Sequence, residues 1–135
     1  DFVLPARMDA KVLLVAAGIG VTPFVSQLRQ LRLAGEKRDV VMVYVASGSD
    51  ELAFRDDIVA AGVPVIVVTR DAPRAMPPHW RWAGGARLDA AGLAALVPDL
   101  AERHAFVSGP PRLIAELAPT LTKARSLTTD AFAGY

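Results

Sequence analysis

The sequence predicts an α/β fold of three layers (α/β/α), in which helices cover both faces of an open parallel sheet of five strands. Short apolar runs rich in Val, Leu and Ile recur along the chain, as expected for strands buried on both faces. Segments with helical spacing lie between these runs, an alternation typical of βαβ units. Glycine- and proline-containing turns follow two of the predicted strands, at the edge where such sheets bind ligands.

The predicted elements follow from local patterns. Strands are expected at residues 11–16, 39–46, 63–69 and 105–108 and within 127–135, and helices at 23–34, 51–61, 90–96 and 111–124. Gly35 and Gly62 are predicted to end the first two helices, Asp89 to cap the third, and Pro119 to kink the fourth. Residues 71–87 are rich in Pro, Trp and Gly, and we expect a long loop there.

The composition fits one compact domain over residues 1–135, since the chain is 53% hydrophobic with a formal net charge of +1. That near-zero charge favours no nucleic-acid partner. The chain has no cysteine and no paired-histidine spacing, so no metal site is expected. No apolar run approaches the roughly 20 residues that span a bilayer, and we expect a soluble domain.

Residues 15–24 (Val-Ala-Ala-Gly-Ile-Gly-Val-Thr-Pro-Phe) are the most informative stretch. They predict a buried strand whose glycine turn opens directly into a helix. Gly18 and Gly20 permit tight backbone geometry, and Pro23 suits the first helical position. Such a helix start favours a bound pyrophosphate, although a Gly-x-Gly turn can also be purely structural. A second turn, Ser-Gly-Pro-Pro at 108–111, is predicted at the same sheet edge, so both can face one extended ligand.

Several common nucleotide-binding classes do not fit. The dinucleotide fingerprint needs a third glycine and an acid ending the second strand, whereas Pro23 and Ser47 stand at those places. The missing acid also disfavours a methyltransferase. No Gly-Lys-Ser/Thr follows the glycines, which excludes a P-loop, and the first strand ends without the acids of a receiver domain.

Four short sequence motifs together indicate a family: Phe-Val-Leu-Pro at 2–5, Ala-Gly-Ile-Gly-Val-Thr-Pro-Phe at 17–24, Asp-Glu-Leu-Ala-Phe-Arg at 50–55, and Ser-Gly-Pro-Pro at 108–111. With the tail Asp-Ala-Phe-Ala-Gly-Tyr, they closely resemble the nicotinamide-nucleotide-binding domain of the ferredoxin–NADP reductase family of flavoproteins. The resemblance covers essentially the whole chain. It implies a Rossmann-like NAD(P)-binding domain that follows an FAD-binding barrel domain, which these residues do not include.

The resemblance also implies roles for individual residues. The first turn would hold the pyrophosphate, Thr22 would approach the nicotinamide, and the second turn would flank that ring. Thr22 and Ser108 are therefore the candidate catalytic positions, although Thr22 can also cap the helix and many relatives have cysteine where Ser108 stands. Phe132 or Tyr135 would cover the flavin ring. The cofactor-binding candidates in the two turns and the tail are Gly18, Ile19, Gly20, Thr22, Pro23, Ser108, Gly109, Pro110, Pro111 and Phe132.

Coenzyme choice depends on the 2′-phosphate of NADP. Thr69 and Arg70 stand where NADP-using relatives have a Ser-Arg pair, and Arg70 can bind a phosphate in bidentate fashion or lie solvated in a loop. Ser47, also a cofactor-binding candidate, stands where many bacterial relatives have arginine, which weakens the NADP interpretation; Arg74 and Arg87 can compensate. NADP and NAD both stay open, with the balance slightly towards NADP.

The function implied is that of a flavin-dependent NAD(P)H oxidoreductase, in which this domain passes hydride to FAD or FMN held by the upstream barrel. The cofactors supply the redox chemistry, so no acid–base dyad is required, and the isolated chain is expected to be inactive. Electrons would continue to an iron–sulfur or membrane partner, with the soluble domain at the cytoplasmic face, tethered to a membrane electron-transport protein. The alternative is a non-catalytic nucleotide-sensing or docking domain, which Ser108 permits.

Overall fold

The computed structural model describes residues 3–52, 55–85 and 87–131. Strands and helices alternate along the chain, with short 3₁₀ turns at Gly18–Val21, Ser49–Glu51 and Leu100–Glu102. The elements are β1 (Lys11–Ala17), α1 (Thr22–Ala34), β2 (Val40–Val45), α2 (Arg55–Ala61), β3 (Val65–Val68), β4 (Trp80–Trp82), α3 (Ala90–Leu96), β5 (Arg103–Gly109), α4 (Pro111–Leu121) and β6 (Ser126–Ala131).

The strands form one sheet in the order β4-β3-β2-β1-β5-β6, and every neighbouring pair is parallel. The chain first builds outward from β1 to β4 and then crosses to the other side of β1 with β5. The direction of winding therefore reverses between β1 and β5, where Ala16 pairs with Ser108. The loops that leave these two strands diverge, which opens a crevice at their carboxyl ends.

Two apolar layers confirm the predicted three-layer arrangement. Alternate residues of β1 enter opposite layers, since Leu14 packs in one core cluster and Leu13 in the other. The first cluster contains Phe24 and Leu28 of α1, together with Ile58 of α2. The second combines Leu13 and other strand side chains with buried residues from the second half of the chain, among them Leu88, Leu93, Val97, Leu100, Leu117 and Leu121.

The sheet has six strands where five were predicted, because β4 lies inside the stretch predicted to be a loop. Val65 donates its N–H to the His79 carbonyl at 3.0 Å, and the Ala83 N–H reaches the Val67 carbonyl at 2.9 Å. Trp80 is buried at the start of the strand. Three residues of alternating Trp-Arg-Trp are too short to show a strand period, so the sequence pattern could not reveal this edge strand.

Other boundaries differ in small ways. The predicted second helix is a 3₁₀ turn at Ser49–Glu51 followed by α2, with residues 53–54 outside the described part. β5 begins at Arg103 rather than at 105, and α4 ends at Leu121 with Pro119 inside it. The stop at Gly35 (φ 68°) and the Asp89 cap, whose Oδ1 accepts the Gly92 N–H at 2.7 Å, are confirmed.

Candidate functional site

A cleft of about 470 Å³ crosses the carboxyl ends of β1, β2 and β3 and reaches the turn after β5. It brings together predicted site residues from four separate turns. Its lining comprises Ala17, Gly18, Val45, Ala46, Ser47, Glu51, Val68, Thr69, Arg70, Gly85, Arg87, Leu88, Pro110 and Leu113. The prediction that the glycine turn and the Gly-Pro-Pro turn face one space is therefore confirmed by Gly18 and Pro110.

The glycine turn is held tightly against β5. Gly18 has a φ of 56°, which favours glycine. A Cβ on Gly20 would lie only 2.4 Å from the Ser108 carbonyl oxygen, closer than any side chain can approach. Gly20 is therefore required by the contact between two backbones, whereas Gly18 is the glycine that lines the cleft. Ile19 projects outward and is 64% exposed.

Thr22 lies at the surface where α1 begins, one residue earlier than predicted. Its hydroxyl donates to the Ile19 carbonyl at 2.9 Å, and no side chain caps the start of α1, so the capping role predicted for Thr22 is not observed. Pro23 occupies the first turn of the helix, as its fixed φ predicts. No acidic side chain lies in this first turn, so the positive end of the helix dipole is not neutralised there.

Ser108 is fully buried, with 0% of its surface exposed. Its Oγ has no hydrogen-bond partner among the described residues, and it lies 3.0 Å from the position of a Cβ on Gly20. The hydroxyl thus lies under the glycine turn and does not line the cleft. Gly109 is buried beside Ala17, and the exposed Pro111 begins α4, which leaves Pro110 as the residue of this turn in the cleft.

The far end of the cleft is formed by the turns after β2 and β3. The Arg70 N–H donates to the Ser47 carbonyl at 3.1 Å, which joins the two turns. The Thr69 hydroxyl is buried and donates to the Asp71 carbonyl at 2.6 Å, so it shapes its own turn. Both Ser47 and Arg70 are exposed, and no hydrogen bond from the Arg70 guanidinium is formed within the described residues.

Carboxylates are concentrated at this far end. Asp71 accepts the Ser49 N–H at 2.8 Å and the Ser49 hydroxyl at 2.6 Å. These hydrogen bonds, with the nearby charge of Arg70, lower the pKa of Asp71. Glu51 lines the cleft, and its Oε2 accepts the Gly48 N–H at 2.9 Å. The sequence placed Glu51 only at a helix start. The pattern that could have indicated more is its three-residue spacing from Gly48, at which a Glu side chain can accept the N–H of the residue that begins the turn.

The other predicted positively charged residues are less directly available. Arg87 lines the cleft but forms an ion pair with Glu116 of α4. Arg74 lines a neighbouring groove, not the cleft. Phe132 and Tyr135 lie outside the described residues. Within the described ranges, no three side chains of the metal-binding types come together, and none of the helices there has the length and apolar character of a membrane span.

Two curated relatives match most of the chain but little of their own length. The ferredoxin reductase component of 3-ketosteroid-9-alpha-monooxygenase from Mycolicibacterium smegmatis is 31% identical over 107 residues, 79% of this chain and 28% of that protein. The NADPH oxidoreductase of Mycobacterium tuberculosis is 29% identical over 110 residues, 82% of this chain and 27% of that protein. The chain therefore matches less than a third of the length of either relative.

Solved structures share the fold. The flavohemoglobin of Malassezia yamatoensis, determined with bound FAD and heme, superposes with a TM-score of 0.70 at 20% identity, covering 96% of this chain and 33% of that one. The family model of the oxidoreductase NAD-binding domain matches residues 14–118, which include the second half of β1, the glycine turn and the Gly-Pro-Pro turn. The resemblance to reductase nucleotide domains is confirmed, and the chain belongs to the oxidoreductase NAD-binding domain family.

Proposed function

We propose that this chain binds NAD(P)H and presents its nicotinamide to a flavin held by a separate barrel domain. The observation that carries the proposal is the cleft that joins Gly18 and Pro110 to Ser47 and Arg70 along one sheet edge. From β5 to β3 the sheet spans three strand spacings of roughly 4.8 Å each, about 14 Å in all. An elongated dinucleotide suits such a crevice better than a compact ligand does.

The glycine turn is suited to the pyrophosphate. The 13-residue helix α1 begins directly after the turn, and its dipole favours negative charge at that end. Gly18 adds no side chain between this helix start and the cleft. The adenosine would then extend towards Ser47 and Arg70, and the nicotinamide towards Pro110, since these residues lie at opposite ends of the cleft.

This chain would contribute to the reaction by positioning the nicotinamide. When bound, NAD(P)H supplies the hydride and the flavin accepts it, while the residues of this chain orient the ring and exclude water. Ile19 and Thr22 lie at the surface beside the glycine turn, where the flavin-bearing domain would dock. Ser108 acts as a positioning residue, because its backbone supports Gly20 and its hydroxyl is buried. The hydroxyl can contact the nicotinamide ring only if the turn at Gly18–Val21 shifts.

The partners follow from the relatives. A flavohemoglobin with bound FAD shares the fold, and a ferredoxin reductase component is 31% identical over 107 residues, which supports a flavin domain upstream and an iron–sulfur acceptor beyond it. We propose further that a membrane acceptor can take the place of the iron–sulfur partner, with this chain at the cytoplasmic face and tethered to a membrane electron-transport protein. The burial of Ser108 also favours a second candidate, a non-catalytic nucleotide sensor, in which the chain binds coenzyme but supports no flavin reduction.

Calorimetric titration of NADH and NADPH into the 135-residue chain tests the binding step. We expect one-to-one binding of at least one coenzyme, with competition by ADP, because the pyrophosphate site accounts for part of the affinity. Replacing Gly18 by Val, which places a branched side chain at a φ of 56° in the cleft, should abolish binding. If the unaltered chain binds neither coenzyme, the proposal is wrong.

A further inference from the structure

The entry segment, residues 3–10, leads into β1 and is held against the domain by a nearly buried arginine. The side chain of Arg38, two residues before β2, is only 8% exposed. Its Nη1 donates to the Pro5 carbonyl oxygen and makes a longer contact of 3.4 Å with the Arg7 carbonyl oxygen. Its Nη2 lies 3.7 Å from a carboxylate oxygen of Glu36. One side chain therefore joins the start of β2 to two points of the entry segment.

The burial of Arg38 makes these contacts necessary for the guanidinium itself. A charged group that leaves water loses hydration, and hydrogen bonds within the protein must offset that loss. Residues 3–10, all within the described part, form bends and a turn rather than a helix or strand, so their carbonyls can accept such bonds. Leu4 adds an apolar contact, since it packs against the first core cluster. The entry segment is thus fixed by one charged and one apolar side chain.

The contact between Arg38 and the entry segment lies far from the cleft. It is at the amino ends of β1 and β2, whereas the cleft is at their carboxyl ends. β1 has seven residues, and at a rise of about 3.3 Å per residue it separates the two places by roughly 20 Å. Arg38 is not among the residues that line the cleft. Its influence on a reaction in the cleft must therefore come through the entry segment and not through contact with the coenzyme.

The entry segment is the connection through which an upstream flavin domain would reach this chain, and this step rests on the proposed function. A free chain of eight residues has a root-mean-square end-to-end distance of about 15 Å, so a loose segment would let that domain move by a similar distance. Direct hydride transfer requires reacting atoms about 3–3.5 Å apart, and a misplacement of about 1 Å can slow such a step roughly hundredfold. A connection fixed in advance reduces the arrangements that the two domains must search.

We infer that Arg38 is a positioning residue for hydride transfer, which fixes the upstream flavin domain relative to the cleft by binding the Pro5 and Arg7 carbonyls. Leu4 places the entry segment on the face of the sheet that α1 and α2 cover. The glycine turn opens into α1 on that same face. The segment therefore directs the flavin domain towards the side of the sheet where the helix start meets the cleft.

The test is rapid mixing of NADH or NADPH with the full-length protein and with its Arg38→Met variant, with rates expressed per bound flavin. Methionine keeps the apolar stem but donates no hydrogen bonds. We expect unchanged coenzyme affinity and flavin reduction that is roughly ten- to hundredfold slower. Arg29→Met is the matched control, because it removes two hydrogen bonds to Asp57 that lie away from the entry segment, and it should leave both quantities unchanged.

Two further variants separate positioning from a purely structural role. Arg38→Lys keeps the charge beside Glu36 and a donor for the Pro5 carbonyl, so it should fold and reduce flavin at an intermediate rate, and it carries the test if Arg38→Met does not fold. Insertion of Gly-Gly between Asp9 and Ala10 should slow the reaction little while Arg38 still holds the segment. In either Arg38 variant the same insertion should slow it several-fold more than the separate effects predict.

An unchanged rate of flavin reduction in the Arg38 variants would overturn the inference while leaving the proposed function intact. A loss of coenzyme affinity that matches the loss of rate, or an insertion whose effect is simply additive, would make Arg38 a structural residue and would also overturn it. If the unaltered protein binds neither coenzyme, or binds one without reducing a flavin, both the proposed function and the inference are wrong.

Discussion

Gly20 and Ser108 are in direct backbone contact, and this contact fixes the glycine turn on the sheet. A Cβ on Gly20 would lie 2.4 Å from the Ser108 carbonyl oxygen and 2.8 Å from its carbonyl carbon. Because backbone atoms of a central strand cannot move aside as a flexible side chain can, residue 20 must be glycine. The turn that would hold the pyrophosphate is therefore positioned by β5, the strand across the crevice.

Replacing Gly20 by Ala should destabilise the domain by about 2–3 kcal/mol, near the upper end of the usual range for overpacking. The free energy of unfolding in urea measures this. Gly92→Ala in α3 is the matched control, because the nearest atom there is a side-chain oxygen of Asp89 and alanine favours the helix. Equal stabilities of the two variants would contradict the contact between Gly20 and Ser108.

Ser108→Ala should leave the domain as stable or raise its melting temperature. A buried hydroxyl without a partner costs roughly 1–3 kcal/mol, and alanine removes it without altering the backbone that supports Gly20. Thr120→Val is the control, since the buried Thr120 hydroxyl donates to the Ala90 carbonyl at 2.5 Å and its loss should destabilise the protein by roughly 1 kcal/mol. A clear loss of stability in Ser108→Ala would mean that the hydroxyl has a partner.

Arg103, the first residue of β5, links the amino ends of β1, β2 and β5. Its side chain is only 6% exposed, and it donates to Asp99, to Asp39 and to the Val12 carbonyl. Arg103→Met removes the ion-pair partner of Asp39, leaves Asp99 with Lys11 alone and frees the buried Val12 carbonyl, so it should cost roughly 2–3 kcal/mol of unfolding free energy. Arg7→Met, at a 78% exposed ion pair with Asp9, should change stability by less than about 0.5 kcal/mol. Similar losses in both variants would contradict this account of Arg103.

The same cluster predicts a dependence on pH. The hydrogen bond from Arg103 lowers the pKa of Asp99 below its ordinary value of 3.8. A depressed carboxylate pKa stabilises the folded state above the unfolded pKa, and this contribution is lost as the pH falls through the folded value. Unfolding free energy should therefore be steady from about pH 7 to 5 and decline below about pH 4. In Asp99→Asn this decline should be shallower, and an identical pH profile would show that Asp99 does not contribute.

The parts of the fold that depend on local pattern could be predicted from the sequence. The apolar run of β1, the stop at Gly35 and the Asp89 cap each follow from residues within a few positions of one another. β4 could not be predicted, because its pairing with β3 depends on a three-residue contact across the loop.

The candidate site could likewise be predicted from the sequence only in part. The two turns and their shared edge could be predicted from parallel topology, which places the carboxyl ends of the strands together. Two features of the site could not be predicted: Ser108 is buried under Gly20, and Glu51 lines the cleft. Both depend on how separate turns pack together, which local sequence patterns do not indicate.

The most direct test of the central claim is rapid-mixing spectroscopy on this chain in the full-length protein, where we propose that a flavin domain accompanies it. Mixing with NADH or NADPH should bleach the visible flavin absorbance, and deuterium at the transferred position of the nicotinamide should slow that step, because hydride moves directly between the two rings. Coenzyme binding without flavin reduction would contradict the claim and identify the chain as a nucleotide sensor.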